Sequence, residues 1–567
     1  MAAIAHDGAP PTLLRGLWYR RLDRYPQPLQ RYSYLAIVVV ATILLYYELY
    51  IGGAVAPSLL HSYGISFGYY ALILVFGNAF GAVASLAAGL ADRWGRANLV
   101  AYGLLAAGLL TLFGIPNATS GFQYGVYFTL VSIVEGVVLV ATPALIRDYS
   151  PQVGRASAMG FWTLGPVLGS LVVTEVVSHT FTDPDWQRQY RICGIAGMVV
   201  WAIAFVLLRE LAPQLRDQVM VSMRDRALIE ARALSLDVAA AESHQWKPVL
   251  KPQIIGSAIG ISTFLAVYYT AVAFAVIYLT TVFGFTQSRS NDLLNWWWGA
   301  EAITLIAVGL LSDRLLVRKP FMLAGGIGTV VMTLVLIAVT GHTDTSYGTL
   351  ALVVAGLGVF ISLAFAPWMA AFTESVEGLS PAATATGLAI WGLTIRTVVS
   401  LLFLVIPHAV GSVTPIVDHG AEAQAALAAV PPSILQPVLA HQALFAELSA
   451  YPPNQVPPAV LARAVQELGG GAAALPILQG AQTYAAPLAV LAQYGPGVQQ
   501  AQADAPGEWQ HWFWVCVAGE IIFIPTTLIL VGRWSPRRAR QDEEAHERVT
   551  ATALAALETA PAPTAAD

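Results

Sequence analysis

Five ionisable side chains lie inside long apolar stretches of the chain. They are Glu48, Glu135, Glu301, Arg396 and Glu520. A charge at the centre of a bilayer costs roughly 2.5–3.5 kcal/mol on insertion scales, so such residues usually face a partner or a water-filled cavity. Desolvation disfavours the charged form of a carboxyl group, which favours reversible proton binding near neutral pH. We therefore predict proton coupling for Glu48, Glu135 and Glu301, with structural hydrogen bonding as the alternative for Glu48 and Glu135.

Arg396 has a different predicted role, because arginine stays protonated. Its guanidinium group can bind an anionic substrate or hold a carboxylate, and Glu301 is the expected partner in the second case. Aromatic side chains crowd the same stretches and can stack against a ring or an apolar substrate. The deepest of them in their stretches are Tyr47, Tyr268 and Trp391.

The composition indicates a membrane protein with many spans. Only 11% of the 567 residues are charged and 56% are hydrophobic, whereas a soluble protein carries roughly a quarter charged residues. A span needs about 20 mostly apolar residues. Twelve stretches meet this requirement, near 33–59, 69–91, 98–115, 122–146, 157–178, 190–210, 254–283, 291–312, 320–340, 348–372, 386–412 and 509–533. The net charge of −5 excludes the basic excess of a nucleic-acid binder.

The basic residues predict the orientation. Most of the 29 Lys and Arg residues fall in cytoplasmic segments if the N-terminus is cytoplasmic. We therefore expect an inner or plasma membrane protein with both termini in the cytoplasm. No short apolar segment with a small-residue cleavage site precedes the first span, so we expect no removable signal peptide.

The spans group as six plus six around a charged linker. We predict seven segments, which are the N-terminal segment 1–32, a bundle at 33–212, the linker 213–252, helices seven to eleven at 253–412, an insertion at 413–508, helix twelve at 509–533 and the tail 534–567. The insertion is rich in Ala and Pro, and Val430-Pro431-Pro432 recurs as Val456-Pro457-Pro458. We expect an external helical unit there that could serve as a lid or as the surface for an external partner.

A short motif stands between the second and third spans. It reads Ala88-Gly89-Leu90-Ala91-Asp92-Arg93-Trp94-Gly95-Arg96, and Gly309-Leu310-Leu311-Ser312-Asp313-Arg314 occupies the equivalent place in the second half. In each copy an aspartate ends a helix beside arginines that face the cytoplasm, and small residues allow close helix approach. The simplest explanation of the two copies is a diverged internal duplication. The motif residues predicted to act in gating are Gly89, Asp92, Arg93, Gly95, Arg96, Asp313 and Arg314.

This combination of spans, linker and repeated motif resembles the major facilitator superfamily, whose signature is Gly-x-Leu-Ala-Asp-Arg-x-Gly-Arg-Lys. The sequence departs from it at Ala88 and Ala97, and Leu316 replaces the turn glycine of the second copy. The resemblance implies an all-α membrane fold of twelve helices in two pseudo-symmetric six-helix bundles. It also implies that Glu48, Glu135, Glu301 and Arg396 share a central cavity, whereas Glu520 lies on an outer support helix.

Two further elements bear on whether such a protein would export or import its solute. Gly165-Pro166-Val167-Leu168-Gly169-Ser170 is similar to an element associated with the antiporters of this superfamily, although a packing role explains it equally well. The arginine usual in the fourth span is replaced by Ser132, so a drug-export mechanism based on that arginine does not carry over.

We therefore expect a proton-coupled secondary transporter that moves a small organic solute by alternating access. The carboxylates and the Gly165 element favour export of amphipathic or drug-like compounds, and Arg396 favours the alternative, import of an organic acid or nutrient with protons. A further alternative is a non-transporting receptor or lipid-handling protein that uses the insertion. The sequence has no nucleotide-binding loop, metal cluster or catalytic constellation, so we expect neither enzyme activity nor a cofactor.

Overall fold

The computed structural model describes residues 20–85, 94–150, 163–212, 250–377, 384–452 and 455–542, together with 215, 379, 544, 545, 548 and 552. Within these residues the first half contains α1 (Pro28–Ala54), α2 (Ala56–Tyr63), α3 (Phe67–Ser85), α4 (Arg96–Leu109), α5 (Gly121–Tyr149), α6 (Gly165–Thr180) and α7 (Trp186–Leu207). A π turn at Leu110–Gly114 and a 3-10 turn at Ile115–Asn117 extend α4. Two short parallel strands, β1 (Arg21–Leu22) and β2 (Glu210–Leu211), tie the start of this half to its end.

The second half repeats this plan. Its helices are α8 (Pro252–Phe264), α9 (Ala266–Phe283), α10 (Gln287–Leu315), α11 (Lys319–Thr340), α12 (Tyr347–Glu377) and α13 (Thr384–Ala409), followed later in the chain by the C-terminal part of α19 (Ala485–Ile529). Each half begins with a pair of consecutive helices, α1 with α2 and α8 with α9. Each pair ends at a glycine in the left-handed backbone conformation, Gly64 with φ of 58° and Gly284 with φ of 64°. The matching turns support the duplication inferred from the repeated motif.

Eleven helices among the described residues are long and apolar enough to cross a membrane, or twelve if one bent pair is counted as a single span. The expected fifth span corresponds to α6, which has 16 residues, and residues 151–162 before it lie outside the described part. The bent pair, α14 (Val413–Ala429) and α15 (Pro432–Ala440), turns by 113° and lies in the insertion. The residue pattern does not predict a span there.

Residues 410–508 form a separate compact unit. Besides α14 and α15 it contains α16 (Gln442–Ser449), α17 (Pro458–Glu467), α18 (Gly471–Thr483) and the first part of α19. The two Pro-Pro repeats start helices in the same way, because Pro431 and Pro457 both take extended backbone angles just before α15 and α17. Leu444, Ala464, Leu468 and Ala474 form a small apolar core inside this unit.

The two halves of the larger unit pack through α1 on α9, α3 on α13 and α6 on α10. Hydrogen bonds join them at the end where α1 and α9 finish, which we call the predicted external end. Asn291 donates to the carbonyl of Ala54 at 3.0 Å, and Gln287 donates to the Ser58 hydroxyl. Asn295 donates to Glu175 at 2.7 Å. The conformation described is therefore one in which the halves are joined at the predicted external end.

Glycines permit several of these close approaches. A Cβ on Gly53 would lie 2.3 Å from the carbonyl oxygen of Val272, across the two halves. A Cβ on Gly136 would lie 2.3 Å from the carbonyl oxygen of Gly81, so α3 and α5 touch backbone to backbone. This contact holds the middle of α5, which carries Glu135, against α3.

We expect Gly136→Ala to lower the free energy of unfolding by about 1–3 kcal/mol, because a methyl group at this position would force two backbones apart. The control is Gly299→Ala in α10, where a Cβ meets nothing within 4 Å. The thermal midpoint of the purified protein measures the difference. Equal midpoints for the two variants would show that α3 and α5 are not in contact at this position.

Candidate functional site

Four helices from both halves bring ionisable and phenolic groups together at mid-span. Glu135 on α5 is buried and lies within electrostatic reach of Arg396 on α13. Tyr46 on α1 interacts electrostatically with Glu135, Tyr269 and Arg396. We call these four residues the central cluster.

Three members of the central cluster are partly exposed although they lie within spans. They are Tyr46, Tyr269 and Arg396, which interact electrostatically across the two halves. Glu135 is only 3% exposed, and its Oε1 has no hydrogen-bond partner. The central cluster therefore combines a fixed cation, a buried carboxyl group with an unused oxygen and two phenol rings.

Arg396 reaches from α13 towards the first half. Its Nη1 lies 3.5 Å from the carbonyl oxygen of Asn78 on α3, and a Cβ on Gly81 would lie 3.1 Å from the same nitrogen. Among the described residues, Arg396 has no carboxylate within the 4.0 Å of an ion pair. The expected pairing with Glu301 is therefore wrong, because α13 directs the guanidinium group towards α3 and Glu135.

A second layer of aromatic rings adjoins the central cluster. The ring of Tyr50 lies 5.4 Å from that of Tyr46, one helical turn away. Tyr268 packs against Tyr269 at 5.2 Å and against Trp298 at 5.5 Å, so the predicted substrate residue Tyr268 borders the site. Tyr46, Tyr50 and Tyr269 were not predicted as site residues from the sequence. For Tyr46 and Tyr50 the i, i+4 spacing could have indicated it, because this spacing places both on one face of α1.

Glu48 and Tyr47 are directed elsewhere. A Cβ on Gly197 in α7 would lie 2.5 Å from Glu48 Oε1, so this carboxyl group packs inside the first half. Both of its oxygens lack hydrogen-bond partners, and it lies within electrostatic reach of Glu135. Tyr47 is near Cys193 on α7 and its buried hydroxyl is unpaired. Glu48 therefore interacts electrostatically with Glu135 but packs against α7 rather than towards Arg396. Tyr47 lies near α7 as well and is not part of the central cluster.

Glu301 lies within the second half. Its Oε2 accepts a hydrogen bond from Trp297 Nε1 at 2.9 Å, and Ser362 on α12 donates to its backbone carbonyl at 3.0 Å. Glu301 lies within electrostatic reach of Tyr268. It is connected to the edge of the site by this tyrosine rather than by Arg396.

The other two predicted residues pack within the second half. Trp391 on α13 stacks near Trp368 at 5.6 Å and Phe365 at 6.2 Å, with its indole nitrogen buried and unpaired. Glu520 on α19 accepts a hydrogen bond from Thr333 at 2.7 Å and is fully buried. This hydrogen bond joins α19 to α11.

The first gating motif is described only in part. Gly89, Asp92 and Arg93 lie outside the described residues. Gly95 has φ of 91°, a conformation that favours glycine, and directly precedes α4. Arg96 binds both oxygens of Asp148 on α5 at 2.8 and 2.7 Å, and its backbone nitrogen donates to Glu210 at 2.6 Å. Asp148 and Glu210 were not predicted as partners, because they lie 52 and 114 residues away along the chain.

The second copy uses a different arginine from the one predicted. Asp313 pairs with Arg318 at 2.6 Å, and Arg318 also pairs with Glu374 on α12 at 3.0 Å. Arg314 is exposed. Leu316 takes φ of 55°, so the turn forms without its glycine and brings Arg318 back over the helix end.

The described residues contain no group of three or more His, Cys, Asp or Glu side chains that could hold a metal ion. The residue types of the central cluster can bind an organic anion at Arg396, bind a proton at a carboxyl group and stack a solute on phenol rings.

Comparisons with known proteins identify the family. The family model of the Major Facilitator Superfamily matches residues 38–404. The hexuronate transporter of Escherichia coli (strain K12) is 24% identical over 185 residues, which cover 31% of this chain and 41% of that protein. The gallate transporter of Pseudomonas putida is 24% identical over 194 residues, covering 33% and 42%. The chain thus spans less than half the length of these curated relatives.

The fold is similar to that of a solved D-xylose-proton symporter, with a TM-score of 0.51 and 14% identity over 66% of this chain and 90% of that one. The family match, the spans and the paired bundles agree with one another. The chain belongs to the Major Facilitator Superfamily.

Proposed function

We propose that this transporter imports a small organic carboxylate together with protons. The observation that carries the proposal is Arg396, a guanidinium group at mid-span that is partly exposed and has no ion-pair partner among the described residues. A cation held at this depth is costly unless an anion or water meets it. A carboxylate matches the planar, two-pronged geometry of the guanidinium group.

The names of the relatives support an anionic substrate. Hexuronate and gallate, which the two curated relatives transport by name, are both carboxylates. Each match covers less than half of the relative, so the substrate class of this chain rests on the central cluster in the first place.

Glu135 supplies the proposed coupling to protons. An organic anion bound at Arg396 would lie near the Glu135 carboxyl group, because these two residues lie within electrostatic reach of each other. Two negative charges in a region of low dielectric repel, so anion binding and protonation of Glu135 support each other. The organic anion and the proton would then cross the membrane together, with the negative charge of one balanced by the positive charge of the other. Glu48, within electrostatic reach of Glu135, is a second proton site in this proposal, and Glu301 acts on the site through Tyr268.

Alternating access provides the movement. The halves are joined at the predicted external end by Asn291, Gln287 and Asn295, and release of these bonds would open that side. At the opposite end Arg96 with Asp148, and Arg318 with Asp313, hold the helices of each half together. In our proposal this opposite end, with both termini, lies in the cytoplasm.

Export of amphipathic compounds is the second candidate. Its support in the sequence was the carboxylates within the spans together with the Gly165 element. A Cβ on Gly165 would lie 2.7 Å from Thr42, whereas one on Gly169 would lie 2.5 Å from Tyr46. Close packing of α6 on α1 therefore accounts for both glycines without reference to direction. The charge at Arg396 makes carboxylate import the better supported function.

Uptake by proteoliposomes tests the proposal. With the outside acidic, we expect accumulation of labelled hexuronate or gallate above the outside concentration, and no accumulation when the gradient is reversed or collapsed. Empty liposomes are the control. Accumulation of amphipathic cations instead, driven by the opposite gradient, would reject carboxylate import and favour export.

A further inference from the structure

A small cavity lies between the two halves, one helical turn from Tyr46 towards the predicted external end. Its volume of about 20 Å³ suffices for one water-sized group. The lining includes Tyr50 on α1, Ser170 on α6, and Asn291 and Trp298 on α10. Both halves therefore contribute polar side chains to it.

Two of these side chains leave a buried polar atom unpaired. They are Asn291 and Trp298, whose residues are 0% and 1% exposed. The Oδ1 of Asn291 and the Nε1 of Trp298 have no hydrogen-bond partner. An unpaired buried polar group costs roughly 1–3 kcal/mol, so an acceptor and a donor of this kind around one cavity favour binding of a polar group there.

The types of these atoms select the occupant. The amide nitrogen of Asn291 donates to the carbonyls of Ala54 at 3.0 Å and Gln287 at 2.8 Å. The amide oxygen Oδ1 is therefore the atom of this side chain that is left to accept a hydrogen bond. The indole N–H of Trp298 is a donor only, and the Ser170 hydroxyl can do either. A hydroxyl oxygen can accept from Trp298 while donating to Asn291. A carboxylate cannot donate, so it does not satisfy this set.

The cavity adjoins the central cluster. Trp298 packs on Tyr268 at 5.5 Å, and Tyr50 packs on Tyr46 at 5.4 Å. The hydroxyl of Tyr268 lies beside Ser170. A solute held by its carboxylate at Arg396 would thus extend along these rings with its far end near the cavity.

We propose that this cavity, the hydroxyl subsite, binds a hydroxyl group of the transported carboxylate, so that the substrate class is hydroxylated carboxylates. The proposal rests on the proposed function and adds a second point of recognition to it. A water molecule offers the same hydrogen bonds and occupies the subsite when no substrate is bound.

Binding of matched probes to the purified full-length protein tests the proposal by calorimetry. Gallate and benzoate share a carboxylate on a ring, and only gallate carries hydroxyl groups. We expect wild type to bind gallate at least about tenfold more tightly than benzoate, since loss of one buried hydrogen bond costs about that factor. Ser170→Ala and Trp298→Phe should reduce this ratio to below about threefold and leave benzoate affinity within about twofold.

Two further variants complete the design. Trp296→Phe alters a neighbouring tryptophan that is 57% exposed and should keep the wild-type ratio. Arg396→Gln should weaken gallate and benzoate alike. Ser170→Ala removes one oxygen and leaves the packing intact, so it keeps the test valid if Trp298→Phe fails to fold.

The outcomes separate the two claims. An unchanged gallate-to-benzoate ratio in Ser170→Ala, with Arg396-dependent binding of both probes, would overturn the hydroxyl subsite and leave a resident water only. Absence of carboxylate binding by wild type would instead overturn the proposed function.

Discussion

Replacing Arg396 with glutamine should reduce carboxylate uptake by at least about 100-fold. Removing one partner of a buried charge contact costs roughly 2–5 kcal/mol, and an anion at the central cluster would then lack any cation close by among the described residues. Initial rates of labelled uptake in proteoliposomes, compared at equal protein content, measure the effect.

Arg396→Lys refines this test. Lysine keeps the charge but cannot form the two parallel hydrogen bonds of a guanidinium group, so we expect partial activity with a raised KM. Arg191→Gln is the matched control, because Arg191 is an exposed arginine on α7 that lies outside both gating motifs. Wild-type uptake by Arg396→Gln would place the anion site elsewhere in the protein.

Glu135→Gln should separate substrate movement from the proton gradient. The amide keeps the shape of the side chain but cannot bind and release a proton. We therefore expect exchange of labelled for unlabelled carboxylate to continue, whereas accumulation driven by an acidic outside falls at least about tenfold, towards the level without a gradient. Counterflow and gradient-driven uptake, measured on the same vesicles, give the ratio.

Glu520→Gln is the control for this prediction. Glu520 is also a buried glutamate within a span, but it bonds Thr333 away from the central cluster. Glu48→Gln tests the second proposed proton site. If Glu135→Gln accumulates substrate as wild type does and Glu48→Gln does not, the proton site lies at Glu48 and the central cluster binds the anion alone.

The sequence predicted the large features of the fold because they depend on local composition. Long apolar stretches mark the spans, and the repeated aspartate-arginine motif marks the duplication. The helix bounds were less accurate. The last helix begins at Ala485 rather than near 509, because residues 485–508 are helical without being uniformly apolar.

The site was predicted only in part, because the local sequence does not determine which residues of different helices come into contact. Glu135 and Arg396 were identified because charges stand out in apolar stretches. Their neighbours Tyr46 and Tyr269 were not separated from Tyr47 and Tyr268, because adjacent residues on a helix point about 100° apart and the sequence does not say which face meets the cavity. The unpaired atoms of Asn291 and Trp298 depend on packing across both halves, which the sequence does not show.

The central claim is that one cavity binds an organic anion at Arg396 and a proton at Glu135 together. The most direct test adds gallate to the purified protein in weakly buffered solution containing a pH indicator. We predict uptake of protons on binding by wild type and none by Glu135→Gln. Binding of gallate to wild type without any proton uptake, or proton release instead, would contradict the claim.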